Sequence, residues 1–201
     1  MIGDVDTWHL LAALLPPDQA HECNNCWAIG EQEAGLVLLV AGILSSDVAI
    51  SETVRAELSV LAETWGEREG LTLRIRQCRS DGQPAPAVTL VEQDDVLVSG
   101  DTVLADRSLA GLALVPWISC DRCGQVLMRV HAREEWGALS YLAEHYVIMM
   151  PERTAIARLF ATEPAGKAFT SVLQSCDRPS TIADAMASRQ ERRRRPRGGR
   201  P

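Results

Sequence analysis

Apolar and polar positions at the start of the chain follow helical spacing, interrupted by one continuous apolar run. The recurrence of apolar residues between Trp8 and Leu15 predicts a short helix that ends at Pro16. Residues 34–44 are apolar throughout, which indicates a buried strand. Residues 51–65 carry an amphipathic helical stripe and begin at Ser51, a good N-cap. The first third therefore predicts two helices around a buried strand.

Strand-like patterns follow in the middle of the chain. Residues 71–78 alternate strictly between apolar and polar, and residues 87–117 read as short strands joined by Asp/Gly turns. Residues 125–133 predict a further strand. From residue 133 the spacing becomes helical, and it predicts helices that carry these apolar residues: Trp136, Leu139, Leu142 and Tyr146; Ile156, Leu159 and Phe160; Phe169, Val172 and Leu173. A last helix is predicted at 180–190.

This order of elements predicts an α+β fold. Residues 1–130 would form a mixed N-terminal and central sheet region with a zinc-ribbon-like knuckle. Residues 131–188 would form a helical region packed on it, and residues 189–201 a disordered basic tail.

Charge is distributed unevenly between the tail and the rest of the chain. The net charge of −7 is composed of +6 in residues 189–201, which hold seven Arg and one Glu, and −13 elsewhere. Arginine-rich segments bind phosphate backbones without sequence preference. The tail's candidate nucleic-acid contacts are Arg192, Arg193, Arg194 and Arg195.

No basic leader opens the chain, and no apolar run reaches the ~20 residues of a membrane span. A cytoplasmic protein without a membrane partner is expected. In a reducing compartment, paired cysteines are more often metal ligands or catalytic thiols than disulfides.

Two C-x-x-C pairs are the main chemical signal of the sequence. Cys120 and Cys123 precede Gly124 between two apolar segments, as in the knuckle of a zinc ribbon. Cys23 and Cys26 lie in a polar segment predicted as a loop. If the pairs meet, four thiolates would hold one Zn²⁺ and tie that loop to the sheet.

Alternatives to this shared zinc stay open on sequence alone. His21 or Cys78 could replace one ligand, or the cysteines could be reduced and hold no metal. A redox pair is disfavoured, because neither pair opens an amphipathic helix after a strand.

Four arginines on the predicted strands are further candidates for nucleic-acid binding. Arg74 and Arg76 would share one strand face, as would Arg129 and Arg133, and neighbouring strands would then present a basic surface. The alternative is an ordinary solvated face paired with local acids such as Glu134.

The cysteine pattern resembles one protein family. Cys23, Cys26, Cys120, Cys123 and Gly124, with the length and layout of the chain, resemble the small zinc-finger protein of type IV CRISPR–Cas systems, a reduced large subunit. The resemblance implies a non-catalytic zinc-bearing subunit of a guide-RNA complex, with RNA or DNA and other subunits as partners.

The alternative functions are a stand-alone zinc-ribbon DNA-binding regulator or phage-type protein and, with less support, a zinc hydrolase. No phosphate-binding glycine loop, nucleophile elbow or deaminase zinc motif occurs in the sequence, so a non-enzymatic role is expected.

Overall fold

The computed structural model of the protein describes residues 5–82, 88–91, 98–99, 109–152 and 155–177. The helices in these ranges are α1 (Val5–Ala12), α2 (Pro17–Ala28), α3 (Gln32–Ser45), α4 (Glu52–Thr64), α5 (Arg68–Gln77) and α6 (Ala165–Asp177). The strands are β1 (Val88–Leu90), β2 (Val98–Ser99), β3 (Ala113–Cys120), β4 (Val126–His131), β5 (His145–Met149) and β6 (Ile156–Phe160). Within these ranges, five helices precede the strands and one follows them, so the α+β prediction is confirmed.

Helices α1 to α5 bury one apolar cluster, the helical cluster. Its large members are Trp8, Leu36, Leu39, Ile43, Leu58, Leu61, Leu71 and Ile75. The ring of Trp8 stacks on that of Trp27 with 5.3 Å between the centroids and meets Trp65 edge-on at 5.7 Å. Aromatic pairs of this geometry add stabilisation beyond their buried area.

Two strands predicted in this region are wrong, because both segments are helical. Residues 34–44 belong to α3, and a continuous apolar run cannot distinguish a buried helix from a buried strand by periodicity. Residues 71–78 belong almost entirely to α5, whose buried residues Leu71 and Ile75 lie four apart, on one helix face. Leu73, predicted on the same strand face, is 68% exposed.

Helix α4 matches its prediction and joins the two halves of the fold. The Ser51 side chain accepts a hydrogen bond from the backbone N–H three residues later, at 3.2 Å, which confirms the N-cap. Leu58 and Leu61 pack in the helical cluster, whereas Ala56 and Val60 pack against the sheet. One helix therefore contributes to both cores.

The strands form one antiparallel sheet in the order β1, β3, β4, β5, β6, and β2 also pairs with β3. β1 pairs with the end of β3, where Val88 lies opposite Cys120, and β2 pairs with its beginning. β3 and β4 are adjacent antiparallel strands joined by a short turn. Phe160, Phe169 and Leu127 belong to a second cluster, in which α4 and α6 meet the sheet.

Two of the helices predicted after residue 133 are wrong. Tyr146 lies in β5, and residues 156–160 form β6. Trp136 and Leu142, predicted on an apolar helix stripe, are 77% and 55% exposed in the connection between β4 and β5. The segment around Tyr146 is rich in β-branched and aromatic residues, and pairing with β4 outweighs the helical spacing. The helix predicted at 169–173 is confirmed within α6.

The predicted boundary after residue 130 falls inside β4, within the sheet. The predicted helix at 180–190 and the basic tail at 189–201 lie outside the described residues. Within the described ranges, no helix has the length and apolar character that crossing a membrane requires.

Candidate functional site

The second cysteine pair lies in the turn between β3 and β4. Cys120 is buried at the end of β3, and its Sγ accepts a hydrogen bond from the backbone N–H of Cys123 at 3.4 Å. The N–H of Gly124 donates to the Cys120 carbonyl at 2.9 Å, and Gly124 has φ +70°. This left-handed glycine and amide-to-sulfur hydrogen bond are the features expected of a zinc knuckle.

Neighbouring contacts hold this turn in place. The Thr89 hydroxyl on β1 donates to the Asp121 carboxylate at 2.6 Å. A Cβ on Gly124 would lie 3.1 Å from Cβ of Pro151, so the space beside the glycine is already filled. The turn is therefore specific for glycine on both conformational and steric grounds.

The first cysteine pair has a different setting, because the segment predicted as a polar loop is helix α2. Pro17 occupies the first turn of α2, where a missing N–H costs nothing. Cys23 and Cys26 are then one helical turn apart. Cys23 is buried in the helical cluster, and its carbonyl accepts a hydrogen bond from Trp8 Nε1 at 3.3 Å. Burial, and then the proximity of Cys26, raise the pKa of the Cys23 thiol to about 11.

The two pairs are not gathered into one ligand set. Among the residues that the structure describes, no three His, Cys, Asp or Glu side chains lie close enough to hold a metal ion together. Cys23 and Cys78 belong to the helical cluster, whereas Cys120 belongs to the cluster between the sheet and α6. The Cys120–Cys123 turn fits two ligands of a zinc ion, and a zinc shared by all four thiols stays a prediction.

The structure places the four arginines predicted on strand faces differently, and two of them, Arg74 and Arg76, lie on helix α5. Residues two apart on a helix lie about 200° apart around its axis, so Arg74 and Arg76 do not share a face. Arg129 is buried on β4, and Arg133 is exposed beyond the end of that strand. The face predicted for Arg74 and Arg76 is therefore wrong, whereas Arg129 and Arg133 differ in burial. Arg192 to Arg195 lie outside the described residues.

The structure instead brings Arg76 and Arg129 to one cavity, which we call the arginine cleft. It has a volume of about 250 Å³ and lies between α4, α5 and strands β1, β3 and β4. Its lining residues are Ser59, Arg68, Glu69, Thr72, Leu73, Arg76, Leu90, Val91, Trp117 and Arg129. Arg68, Thr72 and Arg76 are spaced by four, so one face of α5 supplies one wall.

A buried carboxylate organises the inner end of the cleft. Glu63 on α4 is 4% exposed, and its Oε2 lies 3.1 Å from Arg68 Nε and 3.6 Å from Arg129 Nη1. Its Oε1 accepts a hydrogen bond from the Tyr146 hydroxyl at 3.3 Å. Burial, followed by the Glu63 charge, raises the pKa of Tyr146 well above its ordinary value, so this hydroxyl remains a donor.

Trp117 forms the apolar floor of the cleft beside Arg129. The Arg129 guanidinium lies 5.5 Å from the Trp117 ring centroid, a cation–π contact, and Trp117 Nε1 donates to the Ser59 hydroxyl at 2.9 Å. His131 lies two residues after Arg129 on β4. Burial and then the charge of Arg129 lower the pKa of His131, whose Nδ1 lies 2.8 Å from the Ser140 carbonyl oxygen. These contacts hold Trp117 and Arg129 in place at the floor of the cleft.

Helix α5 is held in position by Arg55 of α4. The buried Arg55 guanidinium donates to the carbonyls of Ile75 at 2.5 Å and Cys78 at 2.8 Å, and its Nε pairs with Glu52 at 3.1 Å. A cation at these last carbonyls also complements the helix dipole. Arg55 thus sets where Arg76 lies relative to the sheet.

Sequence reasoning missed Arg68 and the association of Arg76 with Arg129. The spacing of Arg68, Thr72 and Arg76 by four could have shown a basic helix face had the segment been assigned as helix. No protein-family model matches the chain, and no match is found among curated proteins or solved structures.

Proposed function

We propose that this protein is a non-catalytic, nucleic-acid-binding subunit of a nucleoprotein complex and contacts phosphate through the arginine cleft. The observation that carries the proposal is the arrangement of Arg68, Arg76 and Arg129 around one cavity. Guanidinium groups are planar, permanently charged and suited to bidentate contacts with phosphate. They do not exchange protons near neutral pH, so these three groups are suited to binding an anion rather than to acid–base chemistry.

The surrounding charges make such a local site necessary. The described part of the chain belongs to the region with a net charge of −13, which repels a polyanion at long range. Three arginines surround the cavity, against Glu63 behind two of them and Glu69 in the lining, so the cleft keeps a local excess of one positive charge. This excess provides a short-range attraction that can oppose the repulsion where the cleft opens. Binding through it should weaken steeply with salt.

We further propose that the complex is RNA-guided, with guide RNA or DNA and other subunits as partners. The support is the resemblance carried by the two cysteine pairs and Gly124. A stand-alone zinc-ribbon DNA-binding regulator is the alternative. Co-purification with a discrete RNA of roughly 60 nucleotides, as for a guide of about 20 paired bases with flanks, distinguishes the two. Protein that purifies without RNA and binds duplex DNA more tightly than RNA would favour the regulator.

Salt-dependent binding of a labelled single-stranded RNA tests the cleft, with Arg76→Ala as the variant and Arg74→Ala as its matched control. Both residues lie half-buried on α5, but only Arg76 lines the cleft. Arg76→Ala should weaken binding about tenfold and reduce the salt slope by about 0.7, the value for one phosphate contact on a single strand. Equal affinities of the two variants would refute the cleft as the contact.

We also propose that Cys120 and Cys123 bind Zn²⁺, with Cys23 and Cys26 as the other expected ligands. The support is the knuckle geometry of the β3–β4 turn, and the ion would be structural, holding the turn rather than reacting. Metal analysis of purified protein should find about one zinc per chain. Cys120→Ser should remove it, whereas Cys176→Ser should not; no zinc in the parent protein would refute the proposal.

The Cys23→Ser variant then separates the two forms of the zinc proposal. Loss of zinc from this variant would mean that the two pairs share one ion, after a rearrangement that brings them together. Full zinc content would restrict the site to the Cys120–Cys123 turn and refute the shared staple.

A further inference from the structure

The arginines of the cleft lie at different depths. Arg129 is 5% exposed and forms the inner end with Trp117 and Ser59, both also largely buried. The Arg68 side chain is 25% exposed, and Leu73 at the mouth is 68% exposed. A ligand would therefore enter past the exposed residues Glu69 and Leu73 of α5 and would reach Arg129 last.

The inner end is closed by packed residues. Glu63 lies behind Arg68 and Arg129 and is itself hydrogen-bonded by Tyr146, and Ser59 is bonded to the Trp117 indole. A strand that passed through would need a second opening on this side. A phosphodiester in the middle of a strand continues in both directions, so it should reach the more exposed Arg68 more easily than Arg129, which is 5% exposed.

The cleft is small, and its lining combines basic and apolar residues, which suits a small ligand with one anionic end. Its volume of about 250 Å³ lies just below the range of about 300–1,000 Å³ that is typical of small-molecule pockets. Leu73, Leu90 and Val91 add apolar lining to the cleft, and the exposed Glu69 of α5 adds one carboxylate to it. A single nucleotide, with a phosphate at one end and a flat ring at the other, has this combination of chemistry.

We propose that the arginine cleft takes one terminal nucleotide, with its phosphomonoester among Arg68, Arg76 and Arg129 and its base or sugar against the apolar lining. This rests on the proposed function and specifies its ligand. A terminal phosphate has no onward chain to obstruct entry. It also carries about −1.5 to −2 charges near neutral pH, against −1 for a diester, so it gains more from a basic lining.

The first test compares one short RNA sequence carrying a 5′-phosphate, a 3′-phosphate or hydroxyls at both ends. The phosphorylated end that enters the cleft should bind about tenfold more tightly than the hydroxyl form. A 5′ preference, a 3′ preference, or equal gains for both ends identify the source of the monoester. Equal affinity of all three RNAs for the parent protein would overturn end recognition.

Variants of residues that line the cleft test recognition of the RNA end separately from the proposed function. Leu73→Glu places a negative charge at the mouth, and Leu10→Glu, on α1 and 73% exposed, is its control for net charge and folding. Leu73→Glu and Arg76→Ala should abolish the gain from the terminal phosphate, whereas Leu10→Glu and Arg74→Ala should retain it.

Two outcomes then distinguish the proposals. If Arg76→Ala weakens all three RNAs equally, the cleft contacts the backbone and end recognition is refuted while the proposed function stands. If neither Arg76→Ala nor Leu73→Glu changes any affinity relative to its control, both are refuted. Inhibition by a free nucleoside monophosphate but not by the nucleoside would support the single-nucleotide site.

Discussion

The two C-x-x-C pairs share a spacing but adopt different backbones. Cys23 and Cys26 lie one turn apart on α2, whereas Cys120 and Cys123 span a tight turn between two strands. The residue that follows each pair differs accordingly. Trp27 continues the helix and packs on Trp8, and Gly124 takes φ +70° to end the turn. Spacing alone therefore does not determine what a cysteine pair can bind.

The difference has a chemical consequence for the sulfur atoms. In α2 the backbone N–H groups are used in the helical hydrogen-bond ladder, and burial disfavours the Cys23 thiolate. In the strand turn an N–H donates to Cys120 Sγ, an interaction that favours a thiolate. The turn is therefore better suited to bind a metal than the helical pair.

Removing the Trp8 side chain should disrupt the packing around Cys23 and Cys26 of α2, and we expect this change to have the largest effect on stability. Trp8 is 1% exposed, contacts Trp27 and Trp65, and donates a hydrogen bond to the Cys23 carbonyl. Trp8→Ala should lower the free energy of unfolding by about 3–5 kcal/mol, measured by urea denaturation. Trp136→Ala, at a 77% exposed site, should change it by less than about 0.5 kcal/mol. Similar losses for both would contradict this packing.

The reactivity of Cys23 should sharpen the contrast between the pairs. A pKa near 11 in place of 9.0 lowers the thiolate fraction about 100-fold near pH 8, and only the thiolate is alkylated. Iodoacetamide should therefore modify Cys23 at least that much more slowly in the native protein than in urea, with the native rate rising up to about pH 11. Mass spectrometry of digested samples measures each site separately. Equal native and unfolded rates would show that Cys23 is not held as a buried thiol.

Replacing Gly124 should damage only the strand turn. Gly124→Ala forces a side chain into a left-handed conformation and to within 3.1 Å of Pro151, and should cost about 1–3 kcal/mol. Gly70→Ala is the control, because Gly70 lies inside α5 with only the flexible Glu67 carboxylate nearby, at 3.7 Å. That change should stabilise the protein by about 0.5–1 kcal/mol. Denaturation curves that shift in the same direction would contradict this difference.

Acid should destabilise the sheet region through His131, with the smallest effect. The pKa of His131 is lowered in the folded state, so the neutral ring is favoured there. The resulting contribution to the free energy of unfolding is complete only above the ordinary pKa of 6.5. Stability should therefore fall as pH decreases below 6.5, since the unfolded state takes up the proton first. Urea midpoints across this range should depend less on pH in His131→Gln. A His21→Gln control, at an exposed position, should keep the dependence of the parent protein.

Elements with a strong local signal were predicted well from the sequence. Helix α4 has both a cap at Ser51 and an unbroken apolar stripe, and α1 and α6 also show helical periodicity, α1 over a shorter length. The Cys120–Gly124 turn was also predicted, because the glycine and its flanking strands act over a few residues. Local hydrogen bonds and sterics decide such elements.

Predictions failed where one pattern fits two structures. Leu71, Leu73 and Ile75 alternate like a strand, yet Leu71 and Ile75 are also spaced for one helix face. Tyr146 continues a helical spacing that starts at Trp136, yet it lies in β5 because the sheet offers a pairing partner in β4. Short apolar spacings carry too little information to choose, so packing decides.

Sequence alone specified the residues capable of chemistry: the four paired cysteines, the glycine after the second pair, and an excess of arginine over lysine. Tertiary structure decided which of them come together. The arginine cleft combines Arg68 and Arg76 of α5 with Arg129 of β4, and it exists because Arg55 and Glu63 of α4 hold both elements. Successive residues of a helix lie 100° apart around its axis, so the packing of α5 against the sheet determines which of its arginines meet Arg129.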